Sequence, residues 1–245
     1  MQVDALAVAL RPRPMMEACD LGTRLVQRHA ASVWGSVLPV YLPIAAIALG
    51  TVEIAGWLPA FIIFWLKPWL DRSVLFVLSR SVFGEPTRFA DLWHAQGEVW
   101  WRHLVSTLTL RRLSPWRSFT QAAHQLEGQR GSALNKRKGQ LLRGRRGVGF
   151  LMHSAFANIE AIFVFGLFAL ALWFEPDWQR RQGMVELFGH EGSVSLALAS
   201  SLAYAAVVMV VEPFYVASGF AMYLNRRVEL EAWDIEQEFR RAFDA

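Results

Sequence analysis

Residues 193–227 read SVSLALASSLAYAAVVMVVEPFYVASGFAMYLNRR, and between Ser193 and Leu224 the only charged residue is Glu212, followed directly by Pro213. An uncharged run of this length exceeds the roughly 20 residues that carry a helix across a bilayer core. It therefore predicts a membrane-spanning helix. The Glu-Pro pair inside it is costly twice: a carboxylate in hydrocarbon needs a partner, and proline removes a helix hydrogen bond and bends the axis. A straight helix over this run would measure about 48 Å, too long for the core even at the usual extremes of tilt. A kink at Pro213, or an extension beyond the membrane on one side, is expected.

The rest of the 245-residue chain points the same way. Hydrophobic residues make up 54% and charged residues 19%, with eleven tryptophans, and the apolar residues are bunched into runs. Besides the last run, residues 31–52 are uncharged and contain Pro39 and Pro43. Residues 54–80 are apolar but carry Lys67-Pro68 and Asp71-Arg72, and residues 147–174 carry Glu160. The fold class this predicts is all-α: a single integral membrane domain, a bundle of about four transmembrane helices at 31–52, 54–80, 147–174 and 193–224. The charges in the second run leave a three-span alternative open.

Charge asymmetry sets the orientation. Residues 81–146 hold twelve Arg and Lys against the acids Glu85, Asp91, Glu98 and Glu127. The positive-inside rule makes this segment cytoplasmic, and both termini with it. The turn at Glu53 and the loop around Trp178 fall outside. Residues 15–34, MMEACDLGTRLVQRHAASVW, place Met16, Leu21, Leu25 and Val26 near one helical face and Asp20, Arg24 and Arg28 on another, the pattern of an interfacial helix. Residues 224–245 form a second amphipathic candidate, with Leu230, Trp233, Ile235 and Phe239 at roughly helical spacing. The connecting segment is too long to be structureless and reads as helical, with Trp93, Trp100 and Trp101 suited to the headgroup zone. Its basic tract, Lys136, Arg137, Lys138, Arg143, Arg145 and Arg146, immediately precedes a span and is suited to anionic headgroups or a protein partner. The net charge of +4 reads as orientation and lipid contact rather than nucleic-acid binding. The first residues, with an early Asp4 and no leading positive charge, do not read as a signal peptide.

Catalytic patterns are not apparent. The six histidines show no HExxH or i, i+4 pairing, and there is no P-loop, dinucleotide fingerprint or GxSxG elbow. The lone Cys19 excludes an internal disulfide and reads as a packing residue. Neither an enzyme nor a cofactor is expected. The residues that demand an explanation are the charges inside the runs. Lys67 stands thirteen residues from Arg80, Glu160 thirteen from Gly147 and Glu212 twelve from Leu224. That sets all three about 18–20 Å from the cytoplasmic flank, near or just beyond the middle of the core. One lysine can then neutralise carboxylates on two other helices, with Asp71 and Arg72 pairing together or extending the set. Such a network serves either as a staple between helices or as a proton or ion site.

The stretches EPFYVASGFAMYLNRRVELEAWDIEQEFRR, WLKPWLDRSVLFVLSRSVFGE and LRRLSPWRSF resemble a group of uncharacterised proteobacterial multi-pass inner-membrane proteins, and the resemblance spans most of the chain. Members of that group are often encoded near MoxR-type ATPases and other envelope-associated membrane proteins. The resemblance implies an accessory role with protein partners and supplies no catalytic residue. A small transporter or proton-coupled subunit is the alternative.

Overall fold

The computed structural model describes residues 12–102, 104–109, 113–174, 182–183 and 194–231. It is all-helical, without strands among these residues. In chain order the elements are α1 (Met15–Arg28), α2 (Ala30–Leu49), α3 (Leu58–Ser81), α4 (Phe89–His94), a π turn (Gly97–Trp101), α5 (Leu104–Leu108), α6 (Arg117–Gln125), α7 (Gly131–Leu142), α8 (Arg146–Phe174) and α9 (Val194–Glu231). Three of these, α2, α8 to Ala171 and α9, are long and apolar enough to cross a membrane. α3 has the length, but Lys67, Asp71, Arg72 and Arg80 all fall within it. The second amphipathic candidate falls largely on residues 232–245 and the Trp178 loop largely on 175–193, outside the described residues.

The chain divides into two compact units. Unit 1 comprises residues 1–37, 68–153 and 213–245; unit 2 comprises residues 38–67 and 154–212. All four long helices contribute to both. In α3 and α9 the division falls at a proline, after Lys67 and after Glu212. Each proline removes one backbone donor from its helix.

Unit 2 carries its large apolar side chains outward. Ile47, Phe61, Ile162, Phe165, Trp173 and Leu202 are all exposed, and Phe165 retains 73% of its accessible surface. Water-soluble surfaces do not sustain apolar area on this scale, and lipid does. Inside, Tyr41 donates its hydroxyl to the Ala205 carbonyl at 2.7 Å, joining α2 to α9.

Unit 1 is packed differently. From Pro213 to Asn225 most residues of α9 are buried, so this stretch is enclosed by protein. α1 supplies part of the cover. Its buried face is Met15, Ala18, Cys19, Gly22, Leu25 and Val26, with Glu17, Asp20, Arg24 and Arg28 on the exposed side. The expected apolar face is thereby corrected: Met16 is half exposed, and the face turned inward meets α9, not a lipid surface. Ser218 donates to the Cys19 carbonyl, and burial pushes the Cys19 thiol up, as suits a packing residue. Asn225 closes the start of α1 by accepting from the Arg13 amide and donating to the Arg13 carbonyl.

Gly22 is the point of closest approach. A methyl group there would lie 2.4 Å from the Ala217 carbonyl oxygen and 2.6 Å from Ser218 Cα, atoms of helix backbone that cannot swing aside. Gly22→Val is expected to force α1 off α9 and destabilise the protein by about 1–3 kcal/mol, the usual range for overpacking. Thermal unfolding of the detergent-solubilised variant checks this, and an unchanged melting temperature would refute the close packing.

Candidate functional site

Lys67, Glu160 and Glu212 meet in unit 2. The Lys67 ammonium lies 2.5 Å from Glu160 Oε2 and 2.6 Å from Glu212 Oε2, and the side chains of all three are largely shielded from solvent. The lysine thus bridges two carboxylates from α8 and α9. The attraction is strong because few water dipoles compete, yet each charge had to be stripped of its own hydration to come here. Removing one member is therefore far more disruptive than removing the set.

Lys67 and Glu212 are the last residues of their segments of unit 2, each followed directly by a proline of its helix.

Asp71 and Arg72, which the sequence grouped with these charges, are held in unit 1 by the connecting segment. Asp71, fully buried, accepts from Arg117 Nε at 3.0 Å. The Arg117 guanidinium also lies 5.0 Å over the ring of Tyr215, a cation–π geometry, and the Tyr215 hydroxyl is 3.0 Å from His153 Nδ1. Arg72 donates to the carbonyls of Glu98 at 2.8 Å and Arg102 at 2.5 Å, tying α3 to the π turn. Trp69 donates to the Trp100 carbonyl and Trp100 to the Ser73 hydroxyl. The π turn exposes carbonyls that a regular helix would consume, and Trp69, Arg72 and Ser73, all within about one turn of α3, take them up or brace them. Trp100 is accordingly a core residue, corrected from the headgroup role, while Trp93 and Trp101 remain exposed.

The basic tract also divides. Arg137 on α7 makes a bidentate contact with Glu127, with bonds of 2.8 Å to each carboxylate oxygen, and pairs with Glu231 at the end of α9. Tyr223 donates to Glu127 at 2.6 Å. Arg145 and Arg226 converge on Glu229 at 3.2 and 2.6 Å, and Arg226 also donates to the Arg143 carbonyl. Arg137 and Arg145 thus pair with acids of this chain, whereas Lys136, Arg143 and Arg146 are exposed. The hydrogen bonds that Arg137 donates to Glu127 and Glu231 hold its guanidinium pKa above the ordinary value against the cost of its burial. The acids that do this fastening were detectable in the sequence. Arg226–Glu229 and Arg227–Glu231 have i, i+3 and i, i+4 spacing, which marks neighbours on one helical face.

Burial would raise the Glu231 carboxyl, but hydrogen bonds from Arg227 and Arg137 outweigh it and hold the group below its ordinary value. A carboxyl lowered on folding contributes stability that is complete above its unfolded value and is lost as the pH falls through the folded one. Acidification is therefore expected to weaken the junction of α7 with α9, and Glu231→Gln to flatten that part of the stability–pH curve. Hydrogen exchange at α7, followed as the pH is lowered through and below the ordinary carboxylate range, measures it; identical acid dependence in the variant would contradict it.

Among the described residues no three His, Cys, Asp or Glu side chains are placed to hold a metal ion. Compared with known proteins, the chain matches no protein-family model, no curated protein and no solved structure. Fold and site together define a helical protein with three helices able to cross a bilayer, the build of a membrane protein.

Proposed function

We propose that the chain is a non-enzymatic component of a bacterial inner membrane that acts with protein partners. In this reading the four long helices give four crossings, at about 31–52, 54–80, 147–174 and 193–224. The paired charges carry α3 through, and residues 81–146 and both termini are cytoplasmic. The observation that carries it is the contrast between the two units: one with its large apolar side chains outward, the other a packed helical body whose exposed cations, Lys136, Arg143 and Arg146, are free of the fastening that engages Arg137 and Arg145. A body of that kind offers a surface to partners or to anionic headgroups. The resemblance to inner-membrane proteins encoded near MoxR-type ATPases supports the same role. Purification of the full chain in mild detergent is expected to retain stable protein partners, and the triple variant Lys136→Gln/Arg143→Gln/Arg146→Gln to lose them. Recovery of the wild-type chain alone, from membranes solubilised at low salt, would count against it.

A second reading draws on Lys67 alone. One lysine between two carboxylates leaves an odd charge, and a site of that composition can take up a proton. A proton-coupled subunit would show activity or stability tied to pH or to a specific ion through these three residues.

A further inference from the structure

Within unit 2, α8 carries one amide side chain on an otherwise apolar seam. Ala155, Asn158, Ile162, Phe165 and Ala169 are all exposed, and their spacing alternates between three and four residues. With about 100° of turn per residue, the five fall within an arc of about 80°. Glu160 points to the opposite side, where it pairs with Lys67, and Val164 and Phe168 on that side are half-buried. The helix thus turns one side to its own unit and a narrow seam away from it. We propose that this seam is the contact surface between two copies of the chain, with the Asn158 amides of the two copies paired across it.

A seam of this spacing is what two helices crossing at about 20° turn toward each other. Between membrane helices apolar area alone drives no association, since lipid tails cover it equally well. Polar side chains, and small ones that admit close approach, decide which faces meet. The seam has both, with Ala155 and Ala169 toward its ends and Asn158 between them. Asn158 lies eleven residues from Gly147 and sixteen from Phe174, well inside the apolar run, where an unsatisfied amide is costly. Its Nδ2 donates to the Ser154 carbonyl of its own helix at 2.7 Å, and its Oδ1 accepts no hydrogen bond among the described residues. The amide also selects the occupant. Copies inserted in one membrane share an orientation, so a two-fold axis along the membrane normal sets each residue of α8 opposite its own counterpart. A carboxamide is self-complementary in that position: each donates its second Nδ2 hydrogen to the Oδ1 of the other. One polar residue in an apolar seam also fixes the register of the pair. The contact leaves the Lys67 cluster on the far side of α8 untouched, and it holds whether or not the chain takes other partners.

The test uses the full chain in native membranes, in a Cys19→Ser background with one added cysteine and a membrane-permeant oxidant. Ala155→Cys, Ile162→Cys and Ala169→Cys are expected to give disulfide-linked homodimers. Phe163→Cys, exposed to a similar degree but a third of a turn from the seam, is expected to give several-fold less. Energy transfer between labelled copies in liposomes then measures self-affinity, which Asn158→Leu is expected to weaken about tenfold, as the loss of an interhelical amide pair implies. The cysteine series stands by itself should Asn158→Leu fail to fold. Equal yields at Phe163→Cys and at the seam positions would mark random collision and overturn the proposal, as would the absence of homodimers at every position. A link to a protein of different mass would overturn the second copy as occupant, and unchanged self-affinity in Asn158→Leu would overturn the amide pairing.

Discussion

Lys67→Met is expected to destabilise the protein by about 3–5 kcal/mol, the range for breaking a buried ion pair by removing one partner. The lysine stands 2.5 and 2.6 Å from two carboxylates that are themselves shielded from water. Without it, Glu160 and Glu212 face each other as uncompensated charges, and each has lost the hydration it had in the unfolded chain. Glu160→Leu or Glu212→Leu alone is expected to cost less, because the lysine keeps its other carboxylate. The informative variant is Lys67→Met/Glu160→Leu/Glu212→Leu, which removes the charges and their desolvation cost together. Recovery of most of the single-variant loss marks the cluster as a staple. A triple variant that is stable and has lost a pH- or ion-dependent property marks it as a proton or ion site. Unfolding in detergent against a graded denaturant measures all four proteins on one scale.

An effect of similar size, about 3–5 kcal/mol, is expected of Arg117→Met in unit 1. Asp71 has no exposed surface and accepts from Arg117 at 3.0 Å, so the variant leaves a carboxylate enclosed by protein. The loss also releases the contact with Tyr215, which tethers α6 to α9. Asp71→Leu combined with Arg117→Met is expected to be more stable than Arg117→Met alone. A double-mutant cycle on the pair reads the coupling directly; additive losses would show that Asp71 and Arg117 do not act on each other.

The sequence was most legible where one physical rule dominates. Long apolar runs bounded by charge gave helices at 31–52, 54–80, 147–174 and 193–224, and the structure has them at Ala30–Leu49, Leu58–Ser81, Arg146–Phe174 and Val194–Glu231. The ends moved where tertiary packing takes over. α9 continues past Leu224 because Arg226 and Arg227 find Glu229 and Glu231 on their own helix, and α3 begins late because a turn around Glu53 occupies residues 50–57. Lys67, Glu160 and Glu212 could be singled out because an isolated charge in an apolar run demands a partner. Asp71 made the same demand, but its partner Arg117 lies 46 residues away on a nine-residue helix. Nothing periodic in that short helix marks Arg117 among the other arginines. The π turn was equally hidden, since its carbonyls acquire meaning only when Arg72 and Trp69 reach them. α1 misled by composition: its amphipathic face suits lipid and protein alike, and Gly22, the residue that permits contact with α9, carries no hydrophobic signal.

The account stands on one topological claim, that the connecting segment 81–146 lies on the cytoplasmic side while the turn at Glu53 lies outside. Cysteine accessibility in intact cells tests it most directly, in a Cys19→Ser background with a single cysteine placed at Lys136 or at Glu53. A membrane-impermeant maleimide is predicted to label the Glu53→Cys protein in intact cells and the Lys136→Cys protein only after the membrane is permeabilised. Labelling of Lys136→Cys from outside in intact cells would contradict the account.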